Sequence, residues 1–288
     1  MNLPSYAKIN IGLEVLRRRN DGFHDIRTLF QTVDFYDVIR FLPTRKDAVC
    51  LRGDDERIPW NETNIIYRAA LLLKKECRVS GGVEIQVVKN IPSGKGLGGG
   101  SSNAAVTLIA LNRLWNAGLA KEDLMLLGSE VGSDVPFFLE GGLCLGEGRG
   151  DRIRPQEDLR LMHCLLVFPE KAIMTAAVYS RFRPSLTSNR KVSKIIRFLE
   201  DRNFHFLEND LEDTVFELYP QIKGIKAQLK DSGSELSLMS GSGSAVFGLF
   251  SDKNRAREAF EGIEQKYSSR LVETISREQY GISLDAGV

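Results

Sequence analysis

The chain has 288 residues, 39 basic and 38 acidic, for a formal charge of +1, and 42% of it is hydrophobic. That length exceeds one minimal core and fits two domains or one large one, while the balanced charge excludes a global pull toward nucleic acid or an anionic membrane. No apolar run reaches the roughly 18 residues of a membrane span, and MNLPSYAKIN lacks the basic-then-apolar order of a signal segment, so a cytoplasmic protein is expected.

Residues 5–16 alternate, with Ala7, Ile9, Ile11, Leu13 and Val15 on one face and Lys8, Asn10, Gly12 and Glu14 on the other. This spacing predicts a half-buried strand. The cluster Arg17-Arg18-Arg19 reads as a solvated hairpin face, and Asn20-Asp21-Gly22 signals a turn. Strands are expected near 28–33 and 37–42. A polar stretch over 43–60 follows, with room for a short strand at 49–51. Ile65, Ala69, Leu72 and Leu73 recur at helical spacing and predict a helix over 64–77, and GVEIQVV at 82–88 predicts a strand. A further helix is expected over 101–117, begun by Ser101 or Ser102 and ended by Gly118. Another is expected over 121–130, then a glycine-rich strand and turn over 141–150.

Pro155 and charges interrupt the pattern at 151–159, which sets the expected units at 1–155 and 156–288. Beyond lie a strand at 161–168 and helices at 191–201, 206–217 and 220–230. A glycine–serine loop from Ser237 leads into the strand AVFGLF, then a helix over 253–267 and a strand near 271–275. Residues 182–200 are weakly anchored and expected to be mobile, and the tail 276–288 has no pattern that assigns it a role. The order suggests two α+β domains. Four scattered cysteines and three scattered histidines read as reduced thiols, with no disulfide frame and no protein-built metal cage.

The stretch IPSGKGLGGGSSNAA, 91–105, packs five glycines into the seven residues from Gly94 to Gly100. A glycine loop feeding a helix start is an anion site: bare N–H groups point outward, the helix dipole is positive there, and missing side chains let phosphate oxygens approach. Gly94 and Gly99 have P-loop spacing, but Gly100 stands where that loop needs lysine. The dinucleotide pattern G-x-G-x-x-G is present from Gly94 to Gly99. Three strands and a helix precede it, however, and Glu122 and Asp123 open a helix where an acidic residue should end a strand. A connection without ligand would need only two glycines. Five of them, followed by two hydroxyls, favour a phosphate cradle.

Pro92-x-x-x-Gly96-Leu-Gly-Gly-Gly-Ser-Ser-Asn-Ala-Ala105 resembles the ATP loop of the GHMP kinases, which include galactokinase and the homoserine, mevalonate and phosphomevalonate kinases. PSYAKIN at 4–10, NDGFH at 20–24, TLFQ at 28–31, GSDVPF at 132–137 and SGSGSA at 240–245 are similar to the branch that acts on a CDP-linked methylerythritol. The resemblance implies a two-domain α+β fold: an amino-terminal domain like ribosomal protein S5 domain 2, a ferredoxin-like carboxy-terminal domain, and the substrate in the cleft between them. It implies ATP-dependent phosphorylation of the substrate's 2-hydroxyl, in the non-mevalonate route to isoprenoid precursors, by a monomer or weak homodimer. Mg²⁺ would bridge the ATP phosphates, with no acidic protein ligand assigned to it.

The same resemblance distributes the roles. Pro92, Ser93, Gly94, Lys95, Gly96, Leu97, Gly98, Gly99, Gly100, Ser101, Ser102 and Asn103 would hold the phosphates, with Asn64 and Lys89 at the adenine; whether Lys95 touches phosphate or faces water stays open. Asp134 would take the acceptor's proton, although the local sequence reads equally well as a helix N-cap ahead of Pro136. Lys8 would stand beside it as a cation, with Asn10 bonding the substrate. Phe23, His24 and Tyr179 would clamp the cytosine, with phenylalanine and tyrosine here where the family has tyrosine and phenylalanine. Phe30 and Thr175 would complete that pocket; Phe23 and Phe30 read alternatively as strand core. The loop Ser240–Ser244 would cover the site or be a plain turn. The rival readings are a GHMP kinase with a small acceptor such as mevalonate or homoserine, a nucleotide-binding protein without catalysis, and a dehydrogenase resting on G-x-G-x-x-G alone.

Overall fold

A computed structural model describes residues 1–171, 173–183 and 192–286. Its spine is an antiparallel pair, β1 (Asn2–Arg18) and β2 (His24–Thr44), joined by the turn at Asn20–Gly22. The two strands expected at 28–33 and 37–42 are one. Tyr6 pairs with Tyr36 and Ala7 with Val33, so Asp34 and Phe35 are absorbed as a bulge and the strand bends without ending. β3 (Val49–Gly53) and β4 (Gly82–Val88) pair in parallel, and β5 (Leu143–Gly148) and β6 (Arg152–Pro155) complete the first sheet in the order β3-β4-β2-β5-β6, with β1 on β2. The second sheet is antiparallel. Its strands β7 (His163–Phe168), β8 (Leu236–Met239), β9 (Val246–Phe250) and β10 (Ser268–Glu273) take the order β10-β7-β9-β8.

One face of the first sheet is covered by α1 (Ile65–Glu76), α2 (Gly99–Leu114), α3 (Lys121–Val131) and α4 (Val135–Glu140). The other face packs on the second sheet, where Ala7, Ile9, Ile11 and Leu145 meet Cys164, Leu166, Leu238 and Phe247. At the rim of that interface, α6 (Lys194–Asp201) adds Ile195 and Phe198. The far face of the second sheet is closed by α5 (Thr175–Arg181), α7 (Glu212–Leu218), α8 (Pro220–Asp231) and α9 (Lys253–Glu264). The layers are thus helix, sheet, sheet, helix, an α+β architecture. No helix among the described residues is long and apolar enough to cross a membrane.

This layering corrects the half-buried reading of β1. Both of its faces are interior, with Lys8 3%, Asn10 2% and Glu14 5% exposed. Alternation reports that one face is polar; it does not say whether that face meets water or an internal site. β6, α4 and α5 are too short to show a period and were not anticipated. The helix expected over 206–217 is a 3₁₀ turn at Phe204–Phe206 followed by α7. Within 182–200, residues 184–191 lie outside the described residues, and the helix expected from 191 begins at Lys194 on a Ser193 cap. The unassigned tail is a helix, α10 (Arg277–Ala286), and it contributes Tyr280 and Leu284 to the helical core on the first sheet.

Candidate active site

The structure holds a cavity of about 1060 Å³. It is framed by the β1–β2 hairpin, the loop 91–101, the Ser133–Asp134 turn before α4, Arg149, and, from the second unit, α5 and Gly241–Ser242.

The glycine loop is shaped by backbone that side chains tolerate poorly. Gly94, Gly96 and Gly98 have φ of 70°, 77° and 71°. A Cβ on Gly96 would sit 2.1 Å from the Ser240 carbonyl oxygen, and one on Gly98 would sit 2.7 Å from the Phe138 ring. Gly98 is the N-cap of α2, so the helix starts two residues before the expected serines and no side chain caps it. Its first amides and its dipole therefore face the cavity as an anion site. Ser101 lines the cavity. Ser102 is fully buried and accepts a hydrogen bond from the Ser5 hydroxyl at 2.8 Å. Asn103 is buried too, donating to Ser5 and Asp37.

Lys8 and Asp134 meet at the loop's mouth, with Lys8 Nζ 3.5 Å from Asp134 Oδ2. Asp134 occupies the N-cap position of α4, yet its side chain makes no cap bond. The Lys8 ammonium also donates to Asn10 Oδ1 at 2.5 Å and to the Gly96 carbonyl at 2.9 Å. Burial lowers the Lys8 pKa, and the Asp134 carboxylate pulls it the other way. Asn10 has a set amide orientation, because its Nδ2 donates to Thr28 Oγ1 at 2.8 Å and that hydroxyl donates to the Gly12 carbonyl at 2.7 Å. Lys8 lies 5.4 Å from the centroid of Phe30, whose ring meets that of Phe137 at 4.9 Å with the planes inclined by 32°. Phe30 is therefore both core and cavity wall.

Another part of the cavity lining is aromatic. His24 and Tyr179 face each other at 5.2 Å with rings inclined by 30°, and Phe182 meets His24 edge-on at 6.3 Å. Phe23 is 55% exposed, with the Arg149 guanidinium 5.5 Å from its centroid. Burial, and then the Arg18 cation, lower the His24 pKa and so favour the neutral ring. Burial and the Asp134 charge raise the Tyr179 hydroxyl. Thr175 Oγ1 lies 2.8 Å from Ser242 Oγ, tying α5 to the second glycine–serine loop.

That second loop does reach across the units. The Ser240 hydroxyl donates to the Gly96 carbonyl at 2.9 Å and accepts from the Asn10 amide at 3.2 Å. Lys95 lines the cavity, but its ammonium is turned to the second unit, where it donates to the carbonyls of Pro169, Glu170 and Lys171. Asn64 stands off the cavity as the N-cap of α1, accepting from Ile66 N at 2.9 Å. Lys89 lines the cavity, with its ammonium held by Asp37 and Asn103.

Reasoning from sequence missed Arg18, Ser133, Arg149 and Phe182, all of which line the cavity, while Ser242 lines it from the loop 240–244 that was expected to cover the site. Arg17 and Arg19 do pair with hairpin acids, whereas Arg18, between them, projects to the cavity as strand alternation allows. Among the described residues no group of three or more His, Cys, Asp or Glu side chains could hold a metal. The cavity's carboxylates, Asp21 and Asp134, each face a cation, Arg19 and Lys8. This donor set does not build a protein-held metal site.

Residues 64–142 match the pattern of the GHMP kinases N terminal domain, and residues 189–269 match that of the GHMP kinases C terminal. The chain is 37% identical over 281 residues to the 4-diphosphocytidyl-2-C-methyl-D-erythritol kinase of Shouchella clausii strain KSM-K16, covering 95% of each chain. It is 36% identical over 274 residues to the kinase of the same name from Bacillus anthracis, covering 92% of this chain and 95% of that one. The fold is similar to a crystal structure of 4-(cytidine 5'-diphospho)-2C-methyl-D-erythritol kinase, with a TM-score of 0.79 at 34% identity over 95% of this chain and 99% of that one. A homoserine kinase from Cytophaga hutchinsonii shares the fold at TM-score 0.77 and 19% identity, over 96% of this chain and 95% of that one.

Proposed function

The chain belongs to the GHMP kinases, and from that premise we propose that it transfers the γ-phosphoryl group of ATP to the 2-hydroxyl of 4-diphosphocytidyl-2-C-methyl-D-erythritol, a step in the non-mevalonate route to isoprenoid precursors. The observation that carries this reading is one cavity with two chemically distinct linings. A bare helix start suited to phosphates meets the Lys8–Asp134 pair, and the aromatic residues Phe23, His24 and Tyr179 line the same cavity.

In this reading the loop from Pro92 to Gly100 and the Ser101 hydroxyl hold the ATP phosphates through N–H and O–H donors. Asp134 accepts the proton of the 2-hydroxyl as its oxygen bonds to the γ-phosphorus. The bond from that phosphorus to the β–γ bridging oxygen breaks, and ADP leaves. The Lys8 ammonium, within reach of Asp134 and the loop, opposes the negative charge that builds on the oxygens. Asn10 orients the acceptor. Phe23 and Tyr179 offer aromatic faces to the cytosine, and neutral His24 offers one donor and one acceptor to its edge. A Mg²⁺ ion, when bound, would be held by the ATP phosphates and would offset their charge. We assign a monomer or weak homodimer and a cytoplasmic enzyme, the latter in keeping with the balanced charge and the use of ATP.

The deciding experiment measures ATP turnover with 4-diphosphocytidyl-2-C-methyl-D-erythritol beside mevalonate, homoserine and galactose. Turnover with the first acceptor alone is expected. Turnover confined to one of the other three would overturn the assigned substrate.

A further inference from the structure

We propose that Asp37 is a positioning residue for the phosphate cradle, a single buried carboxylate that staples both stems of the glycine loop. It lies on β2, outside every motif singled out in the sequence, and is fully buried. Its Oδ1 accepts from the backbone amides of Asn90 and Ile91, each at 2.8 Å, on the stem that enters the loop. Its Oδ2 accepts from Asn103 Nδ2 at 2.9 Å, on α2, the stem that leaves it, and from the Lys89 ammonium. Four donors meet the roughly four lone-pair sites of one carboxylate. Asn103 carries the clamp on to β1 by donating to the Ser5 hydroxyl at 2.8 Å, which donates in turn to Ser102.

A loop with three left-handed glycines between its stems has many alternative shapes. It presents its amides to phosphate only when both ends are held, and holding them in advance lowers the ordering cost of binding. Asp37 does this without touching the cavity, which it does not line. The inference rests on reading Pro92–Ser101 as the ATP cradle.

The test sets Asp37→Asn against the reciprocal pair Asp37→Asn with Asn103→Asp. In the single variant an amide oxygen still serves Asn90 and Ile91, but the new NH₂ group opposes the donors of Asn103 and Lys89. The KM for ATP should rise about tenfold or more and ADP binding should weaken equally, while the acceptor KM stays within about twofold. In the pair, the carboxylate at 103 accepts from the amide at 37, from Lys89 and from the rotated Ser5 hydroxyl, so ADP affinity should return to within about threefold of the parent. Equal rises in both KM values together with a lower melting temperature, and no recovery in the pair, would make Asp37 an ordinary core residue and overturn the proposal. ADP binding needs no acceptor. A parent protein that binds ADP but leaves the CDP-linked alcohol unphosphorylated would therefore strike the proposed function, and the ADP comparison would still decide the staple.

Discussion

Lys8 directs its ammonium at three acceptors, Asn10 Oδ1, the Gly96 carbonyl and Asp134, so its position is set by β1, the glycine loop and the turn before α4 together. Asp134→Asn keeps the volume and the contact but removes the proton acceptor. Turnover should fall by about two or more orders of magnitude with ATP affinity near that of the parent, measured by kinetics and direct nucleotide binding. A matching loss of ATP affinity would remove the assigned role. Burial holds Lys8 below the 10.5 of an unperturbed lysine. Its charge is present below that lowered value and is lost as pH rises through it. The kcat profile should therefore fall on an alkaline limb below pH 10.5 while circular dichroism still reports a folded chain. A flat profile through that range would count against the cation's part in the reaction. Neither residue could be paired from spacing, since they lie on separate elements and one of them read equally well as a helix cap; their conjunction came from the family resemblance.

Among the elements, the glycine loop divides into two parts. Gly96 has φ of 77° and faces the Ser240 carbonyl, so Gly96→Ala combines left-handed strain with a backbone clash. The apoprotein should lose about 2 kcal/mol or more in denaturant unfolding. Gly100 lies in the first turn of α2, where an added Cβ would meet Ile65 at 3.8 Å, an ordinary contact. Gly100→Ala should leave apoprotein stability unchanged or raise it by up to about 1 kcal/mol. Equal destabilisation by both changes would contradict the division. The glycine count in the sequence announced a close approach without saying to what. Part of the answer is phosphate chemistry, and part is the second glycine–serine loop, more than a hundred residues away in the chain.

At the scale of the whole molecule, α10 ties the end of the chain to the helix that follows Asp134. Tyr280 is 1% exposed and donates its hydroxyl to the Phe138 carbonyl of α4 at 2.5 Å. Tyr280→Phe would leave a buried carbonyl without that donor. It should cost about 1–2 kcal/mol in global unfolding with only a small change in kcat, and a variant as stable as the parent would show that water replaces the contact. The sequence by itself determined what short-range chemistry determines: the period of β1, the helical repeat of α1, the turn at Asn20–Gly22, and an anion loop feeding a helix. Those signals depend on neighbours two to four residues apart, or on glycine backbone freedom, and they survive in any fold. Tertiary structure decided which polar face meets water and which meets a site. It turned Lys95 inward to three carbonyls, aimed Arg18 alone of its cluster at the cavity, and returned the tail to the first sheet. These outcomes depend on packing between residues distant in the chain, where burial and hydrogen-bond satisfaction select one arrangement among many that the local pattern allows equally.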